Sequence, residues 1–379
     1  MKIGHYNSKM WMLGGIVSYV TRICAAQRDA GNEVILFDNC PAAPGGVANP
    51  AIRKVDSAID LFAKAQSLSI DILHLHTRVA SSPPPGLKAV RTIHFHEPYC
   101  PSGTQFLFRH EIACQHTYGF AACVKGYLYD RCGSLRPLNL VESVTRYRNE
   151  RRTLPGIRAF AVSNFMKQRL IDAGYAARDI VMLRPTACEC PDYQLAPAAE
   201  TPRFVFLGRL IPEKGLGWLL RSLARVDAPC HLDIAGDGHV RQKMQRLATD
   251  LGIADRVTFH GWIGDSEVRL LLSKATALIY PSIWQEPSGV AVFEAMAQGR
   301  TVIVSKVGGA AEPIDHGSDG LCVDSGDEEQ LAQAIQVLAT DAEFARRLGR
   351  AAWEKAKRSL NLQLHIGELE SQYREIIGR

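Results

Sequence analysis

The chain has 379 residues, room for roughly two domains, and its 46% apolar and 22% charged residues are the balance of an ordinary soluble globular protein. No apolar run reaches 18 residues, so no membrane-spanning helix is predicted, and ten scattered cysteines do not make a secreted disulfide scaffold; the expected compartment is the reducing cytoplasm. The net charge of +5 hides an asymmetry: residues 1–186 carry 23 Lys and Arg against 13 Asp and Glu, the remainder 21 against 26. A basic first half is suited to a phosphorylated acceptor or an anionic membrane surface, although a solvated basic face needs no partner. No aromatic-interleaved basic motif points to nucleic acid.

At the start, Trp11 to Val20 is apolar behind Lys2 and Lys9, the outline of a short signal peptide. Gly14 and Gly15 break that outline, and His5 and Asn7 are polar, so a strand, a glycine loop and a helix fit better. From there short β-branched or apolar runs alternate with helical periods. The predicted strands of the first half are Lys2–Tyr6, Val34–Phe37, Asp71–His76, Val90–His96, Ala159–Val162 and Ile180–Leu183. Those of the second half are Phe204–Leu207, His231–Ala235, Val257–His260, Ala277–Tyr280, Thr301–Val304 and Gly320–Val323. Helices are predicted over Gly15–Ala30, Leu216–Arg225, Val240–Leu251, Val290–Gln298, Glu328–Ala339 and Gln363–Ile377. This order predicts an α/β chain of two doubly wound parallel-sheet domains facing a cleft. The proline-rich stretch Pro185–Pro202, with Pro191 and Pro197 inside it, marks the boundary between residues 1–187 and 200–357. Residues 358–379 form a final helix that the division leaves able to cross back to the first domain.

Ligands of doubly wound sheets bind beyond the carboxyl ends of strands, so the loops there are where chemistry is expected. In "WQEPSGVAVFEAMAQG", residues 284–299, Pro287 stops a strand ladder and Ser288-Gly289 can open a helix. The N–H groups of a helix start attract phosphate. Glu286 precedes that start, and Glu294 lies ~8 Å into the helix with its side chain leaning back. Two carboxylates flanking a phosphate site suit a ligand with hydroxyls at both ends, as in a sugar nucleotide. A capping residue with one paired buried glutamate accounts for the same pattern. In "FLGRLIPEKG", residues 206–215, Arg209 and Lys214 follow a strand and offer two cations for a diphosphate without a metal, unless they are merely solvated. In "DIAGDGHV", Gly236 and Gly238 allow a tight turn, but Arg241 replaces the third glycine of a dinucleotide fingerprint. Neither a phosphate-binding G-x-x-x-x-G-K-[ST] loop nor a D-x-D occurs.

With "VTFHGWI" and "EPSGVAVFEAMAQGRTVIVSKVGGAAEPI", these motifs cover about 120 residues in order, and the second half resembles the donor domain of retaining GT-B glycosyltransferases of glycosyltransferase family four. The first half resembles that family more loosely, through Gly14-Gly15, "HFHEPYCP" and "AVSNFMKQRL". The resemblance implies a GT-B fold of two Rossmann-like domains. It also implies a retaining, metal-independent transfer from a UDP- or GDP-linked sugar to a glycan or lipid-linked acceptor, in cell-surface polysaccharide or glycolipid biosynthesis, with no cofactor required. Arg209 and Lys214 would bind the diphosphate and Glu294 the ribose diol. Glu286 would sit at the donor sugar, and Ser288, Gly289 and Val290 at sugar and phosphate oxygens. Trp262 and Ile263 would lie near the base, and Gly236 in the nucleotide loop. Gly14 and Gly15 would let the backbone approach the donor phosphate. His94 would be the cleft histidine, with His96, two residues on and on the same strand face, as its rival. A sugar-nucleotide epimerase of the same fold and a non-catalytic sugar-nucleotide-binding module are the competing readings; a nicotinamide oxidoreductase lacks its glycine fingerprint.

The departure from the family is residues 97–140, which carry Cys100, Cys114, Cys123 and Cys132 with no C-x-x-C pair. Four cysteines could hold a structural zinc; free thiols need no such spacing. Arg131, Arg136, Arg146, Arg148, Arg151, Arg152 and Arg158 follow, with Leu135, Leu138, Leu140 and Val141 nearby. That segment reads either as a peripheral contact to the inner face of an anionic membrane or as a solvated helix.

Overall fold

The computed structural model describes residues 1–12, 14–42, 49, 51–117, 119–134, 136–186, 188–194 and 201–378; Leu135 and Pro197 lie outside them. The chain divides into two compact units. The first comprises Met1–Arg109, Cys114–Ala187 and Leu362–Arg379, the second His110–Ala113 and Cys188–Asn361.

In the first unit a parallel sheet runs, edge to edge, Ile52–Lys54, Glu33–Asp38, Lys2–Tyr6, Ile72–Leu75, Ala89–Ile93, Arg158–Ala161 and Ile180–Met182. In the second it runs Val257–Gly261, His231–Ala235, Arg203–Leu207, Ala277–Tyr280, Thr301–Ser305 and Leu321–Val323, again parallel. Within each sheet the first strand in the chain lies beside the fourth, and the strand order reverses there. That reversal is the topological switch point, where loops from neighbouring strands part and leave a crevice.

The sequence dictates the layering directly. Parallel strands are covered on both faces, so they read as unbroken apolar runs, and Thr301–Ser305 is buried at every position. Alternate residues of one strand feed opposite cores: Phe204 and Phe206 pack with Leu219 and Ile279, while Val205 and Leu207 pack with Phe293 and Met296. Each such large apolar side chain contributes about 1.5–3 kcal/mol on burial. Helices bury one stripe. Gly15–Asp29 buries Tyr19, Val20, Ile23, Cys24, Ala26 and Gln27, and Leu362–Ile377 buries His365, Ile366, Leu369, Glu370 and Tyr373. This last helix is tied into the first unit by polar bonds: Tyr19 to His365 at 2.8 Å, Asn32 to Glu370 at 2.7 Å and Arg158 to Glu375 at 2.9 Å. Among the described residues no helix is long and apolar enough to cross a membrane.

The helices Ala58–Ser67, Phe120–Leu128, Asn164–Asp172, Asp265–Ser273 and Ala342–Ser359 and the short strands Phe106–Leu107 and Ile112–Ala113 have no counterpart in the sequence reading, and two further strands differ from it. The edge strand Ile52–Lys54 is only three residues long and includes Arg53 and Lys54, so it carries no apolar alternation to read. The strand expected over Val90–His96 stops at Ile93, because the chain bends into a turn where the His96 carbonyl accepts from the Tyr99 and Cys100 amides.

Candidate functional site

The second unit's switch point lies between the strands Arg203–Leu207 and Ala277–Tyr280. The loop after the first strand ends in a short 3-10 turn, Pro212–Lys214; the loop after the fourth runs through Ser282 to Glu286. Lys214 Nζ donates to Glu286 Oε1 at 2.6 Å and to the Tyr280 hydroxyl at 3.3 Å. The Ser282 hydroxyl donates to the same Glu286 oxygen at 2.8 Å. The pair is buried, with side-chain exposures of 13% for Lys214 and 4% for Glu286. The ammonium also lies 5.4 Å from the Tyr280 ring centre and 5.6 Å from that of Trp284. Burial by itself pushes the Lys214 ammonium toward the neutral form; the Glu286 carboxylate and Tyr280 more than offset this and hold its pKa above the ordinary value. The Tyr280 hydroxyl is raised by burial and then by Glu286.

Two glycines make this meeting sterically possible. Gly215 has φ 72°, and a Cβ there would lie 1.9 Å from the Pro281 carbonyl oxygen, so only glycine lets the Lys214 turn press against the fourth-strand loop. Gly308 has φ 69° and bridges Glu286, and a Cβ there would lie 2.4 Å from the Glu286 carbonyl oxygen. The Gly309 amide donates to that carbonyl at 2.7 Å. Glu286 is therefore fixed from both ends, through its side chain by Lys214 and Ser282 and through its backbone by the glycine pair.

The other expected residues of this unit have distinct settings. Arg209 is exposed and, among the described residues, forms no ion pair. The helix Val290–Ala297 starts from Gly289, which offers no side-chain cap; the Val292 amide is taken by the Gly289 carbonyl at 2.9 Å, and no side chain of the cap reaches the amides of Val290 and Ala291. Ser288 Oγ is buried and has no hydrogen-bond partner among the described residues. Glu294 is half-buried on the fifth position of that helix. Gly236 follows the strand His231–Ala235, its amide donating to the Gly261 carbonyl at 2.7 Å. Trp262 is 56% exposed, whereas Ile263 packs on the core. Sequence reasoning expected Lys214 to be available to a ligand and missed that it is already bound to Glu286. It also missed Tyr280, Ser282, Gly308 and Gly309. The double glycine in "KVGGAAEPI" was the signal for the last two.

In the first unit the switch point lies between Lys2–Tyr6 and Ile72–Leu75, and histidines fill it. His5 pairs in register with His74, and His76 follows the strand. His94, immediately beyond the strand Ala89–Ile93, is half-buried; its Nε2 lies 3.3 Å from His76 Nδ1. Burial, and then Arg91, push His94 down to about 3. His96 is separate from this group: it is fully buried and bonded through Nδ1 to the Tyr99 hydroxyl. The two histidines share no strand face, because the strand has already ended. Gly14 and Gly15 are exposed at the start of the helix Gly15–Asp29, with open space where a Cβ would stand.

The four cysteines of the insertion, Cys100, Cys114, Cys123 and Cys132, are free thiols lining one cavity of about 120 Å³. Among the described residues the would-be ligand atoms that converge within 4.8 Å belong to His5, His74 and His76, not to these cysteines. Burial, followed by the neighbouring thiols, pushes Cys132 up to about 12. Of the arginines that follow, Arg151 is drawn inward to the Ala173 carbonyl at 2.5 Å and over the Tyr175 ring, and Arg158 to Glu375. Arg131, Arg136, Arg148 and Arg152 are exposed, as are Leu128, Tyr129, Leu138 and Val141.

Residues 193–355, which span the Lys214–Glu286 pair and its glycines, match the profile of the family described as glycosyl transferases group 1. The second unit belongs to that family. The lipopolysaccharide core biosynthesis glycosyltransferase LpsE of Rhizobium meliloti is 34% identical over 156 residues, 41% of this chain and 45% of LpsE. The chain spans about half or less of the length of the curated relatives it matches. Among solved structures, the sucrose-phosphate synthase of Thermosynechococcus elongatus superposes with a TM-score of 0.73 at 19% identity, over 99% of both chains. HepE of Anabaena, in complex with UDP and glucose, superposes with a TM-score of 0.71 at 16% identity, over 99% of this chain and 100% of HepE. At such identities the likeness is one of fold: the chain has the GT-B fold of two Rossmann-like domains.

Proposed function

We propose that the protein is a retaining, metal-independent glycosyltransferase that moves a sugar from a nucleoside-diphosphate sugar to a glycan or lipid-linked acceptor. The observation that carries the reading is the Lys214–Glu286 pair, seated at the switch point of the family-matched unit and next in its loop to the exposed Arg209. In this reading the diphosphate is met by Arg209, by Lys214 and by the uncapped N–H groups at Val290, with the partnerless Ser288 hydroxyl supplying a further donor. Glu286 keeps Lys214 charged and in place, and turns an oxygen to the donor sugar. Glu294 holds the ribose diol, and Gly236, Trp262 and Ile263 complete the nucleotide's surroundings in the second unit.

The chemistry follows from where charge develops. As the bond between the anomeric carbon and the diphosphate oxygen breaks, negative charge grows on that oxygen, and the fixed cations and N–H groups lower its energy in the way a divalent ion does elsewhere. The acceptor hydroxyl attacks from the face the diphosphate leaves. Its proton passes to the departing phosphate oxygen, so the anomeric configuration is kept and no protein nucleophile is needed. In this reading His94 is the ligand-binding histidine of the first unit.

HepE's complex with UDP and glucose supports a uridine-type donor, and LpsE's role in lipopolysaccharide core biosynthesis supports a lipid-linked acceptor. The exposed Leu138 and Val141 beside Arg136 and Arg148 support contact with an anionic membrane surface. Mass spectrometry of products from a screen of UDP- and GDP-sugars against glycan and lipid-linked acceptors tests the activity. A product heavier by one sugar, with the free nucleoside diphosphate alongside, is the expected result; release of the diphosphate without an acceptor product, or a 2-epimer of the donor, would overturn it.

A further inference from the structure

The histidines at the first unit's switch point form one directional chain. Gln27 Oε1 lies 2.7 Å from His5 Nε2, His5 Nδ1 lies 2.9 Å from His76 Nε2, and His76 Nδ1 lies 3.3 Å from His94 Nε2. His5 and His76 are stacked, with ring centres 5.2 Å apart and 12° between planes. With the Gln27 amide oxygen turned to His5, the orientation that leaves Gln27 Nε2 buried without a partner, the oxygen can only accept, and His5 carries its proton on Nε2. A neutral imidazole has one N–H, so His5 Nδ1 must accept, and His76 must donate to it from Nε2. By the same step His76 Nδ1 accepts, and His94 donates from Nε2. One nitrogen is then left over: His94 Nδ1, unprotonated and without a partner among the described residues. All three rings stay neutral, since burial lowers His5 to about 4 and His94 to about 3 and drives His76 well below the ordinary value.

We propose that Gln27, His5 and His76 are positioning residues that lock His94 in the Nε2–H tautomer, so that His94 offers its Nδ1 lone pair to a ligand hydroxyl. This rests on the reading of His94 as a ligand-binding residue given above and deepens it. A locked acceptor takes a sugar hydroxyl, which can donate. It turns away a phosphate or carboxylate oxygen, which cannot. Without the chain, a lone imidazole would exchange tautomers and present a donor for part of the time.

A metal ion is the competing occupant, because the ligand atoms of His5, His74 and His76 lie within 4.8 Å of one another. The six ring nitrogens are already engaged. His74 is held by the Tyr373 hydroxyl at 2.5 Å and by Thr92 Oγ1 at 2.7 Å, and the other four take part in the chain. A metal would have to displace several of these bonds at once.

Nitrogen-15 correlation spectra of the intact protein, labelled on histidine and read at neutral pH without substrate, decide the matter. The His94 signal is identified by its loss in His94→Gln. The expected spectrum has a protonated Nε2 and an unprotonated Nδ1 at His94. In Gln27→Leu the His94 signals shift to a mixture of both tautomers, and kcat for transfer falls at least about tenfold while KM for the sugar nucleotide changes less than about twofold. A proton on His94 Nδ1 in the unsubstituted protein overturns the proposal, because it means the Gln27 amide donates into the chain and every tautomer is reversed. An unchanged tautomer and kcat in Gln27→Leu, or one equivalent of metal by elemental analysis, also overturns it. Should Gln27→Leu fail to fold, the spectrum of the unsubstituted protein still decides. The tautomer is read without any reaction, so its failure is distinct from a failure to find transfer.

Discussion

The two switch points occupy the same topological place and hold opposite chemistry. In the second unit an ammonium and a carboxylate meet between loops; in the first, neutral imidazoles meet on and beside the strands. Both are polar clusters at the ends of apolar sheets held together by internal hydrogen bonds, but the first unit's leaves Gln27 Nε2 and His94 Nδ1 without a partner among the described residues. They should respond differently when broken. Removing one member of a buried ion pair strands the other charge, whereas the histidine chain is vulnerable chiefly to gaining a proton.

The largest effect is therefore expected at the ion pair. Lys214→Ala leaves Glu286 charged and buried, and should cost about 3–5 kcal/mol of stability in urea unfolding as well as slowing transfer. Lys214→Met combined with Glu286→Leu should recover most of the stability but none of the activity; a double variant no more stable than the single one would show that the pair is not the cause. Next comes Gly308→Ala. Its Cβ would press on the Glu286 backbone at a positive φ, and about 2–3 kcal/mol should be lost. Wild-type stability in that variant would mean the backbone support of Glu286 is slack.

Acid sharpens the comparison from the other side. His5 titrates at about 4 and His94 and His365 at about 3 in the folded protein, against about 6.5 in the unfolded chain. Between those values the unfolded chain binds more protons, so folding stability is fully present above about pH 6.5 and is lost as pH falls toward 4. The slope should be about 1.4 kcal/mol per pH unit for each such histidine. Urea midpoints at pH 7, 5.5 and 4.5 test this, and a flat profile would contradict a neutral histidine cluster. The smallest expected effect is Glu294→Ala, which should weaken nucleotide binding about tenfold, or about 1.4 kcal/mol, in calorimetric titration. Equal affinity in the variant would remove Glu294 from the ribose.

Much of this was legible in the chain and some was not, for physical reasons. The strands of both sheets are apolar runs between helical periods, and they are readable because both faces of a parallel sheet are covered. Glu286 and Glu294 stood out by their spacing across a helix start. The pairing of Lys214 with Glu286 did not, because the partners are 72 residues apart and local spacing cannot say which lysine meets which carboxylate. The histidine chain was hidden in the same way: His5 reaches His76 only through the strand register that sets His5 beside His74. His94 and His96 were inseparable while the strand was thought to continue, and its end at Ile93 separates them.

The measurement closest to the central claim is calorimetric titration of the intact protein with UDP, GDP and NAD in turn. The account predicts that UDP or GDP binds one to one, and that Arg209→Ala and Lys214→Met each weaken the binding. Binding of NAD with neither diphosphate, or diphosphate binding indifferent to both substitutions, would contradict it.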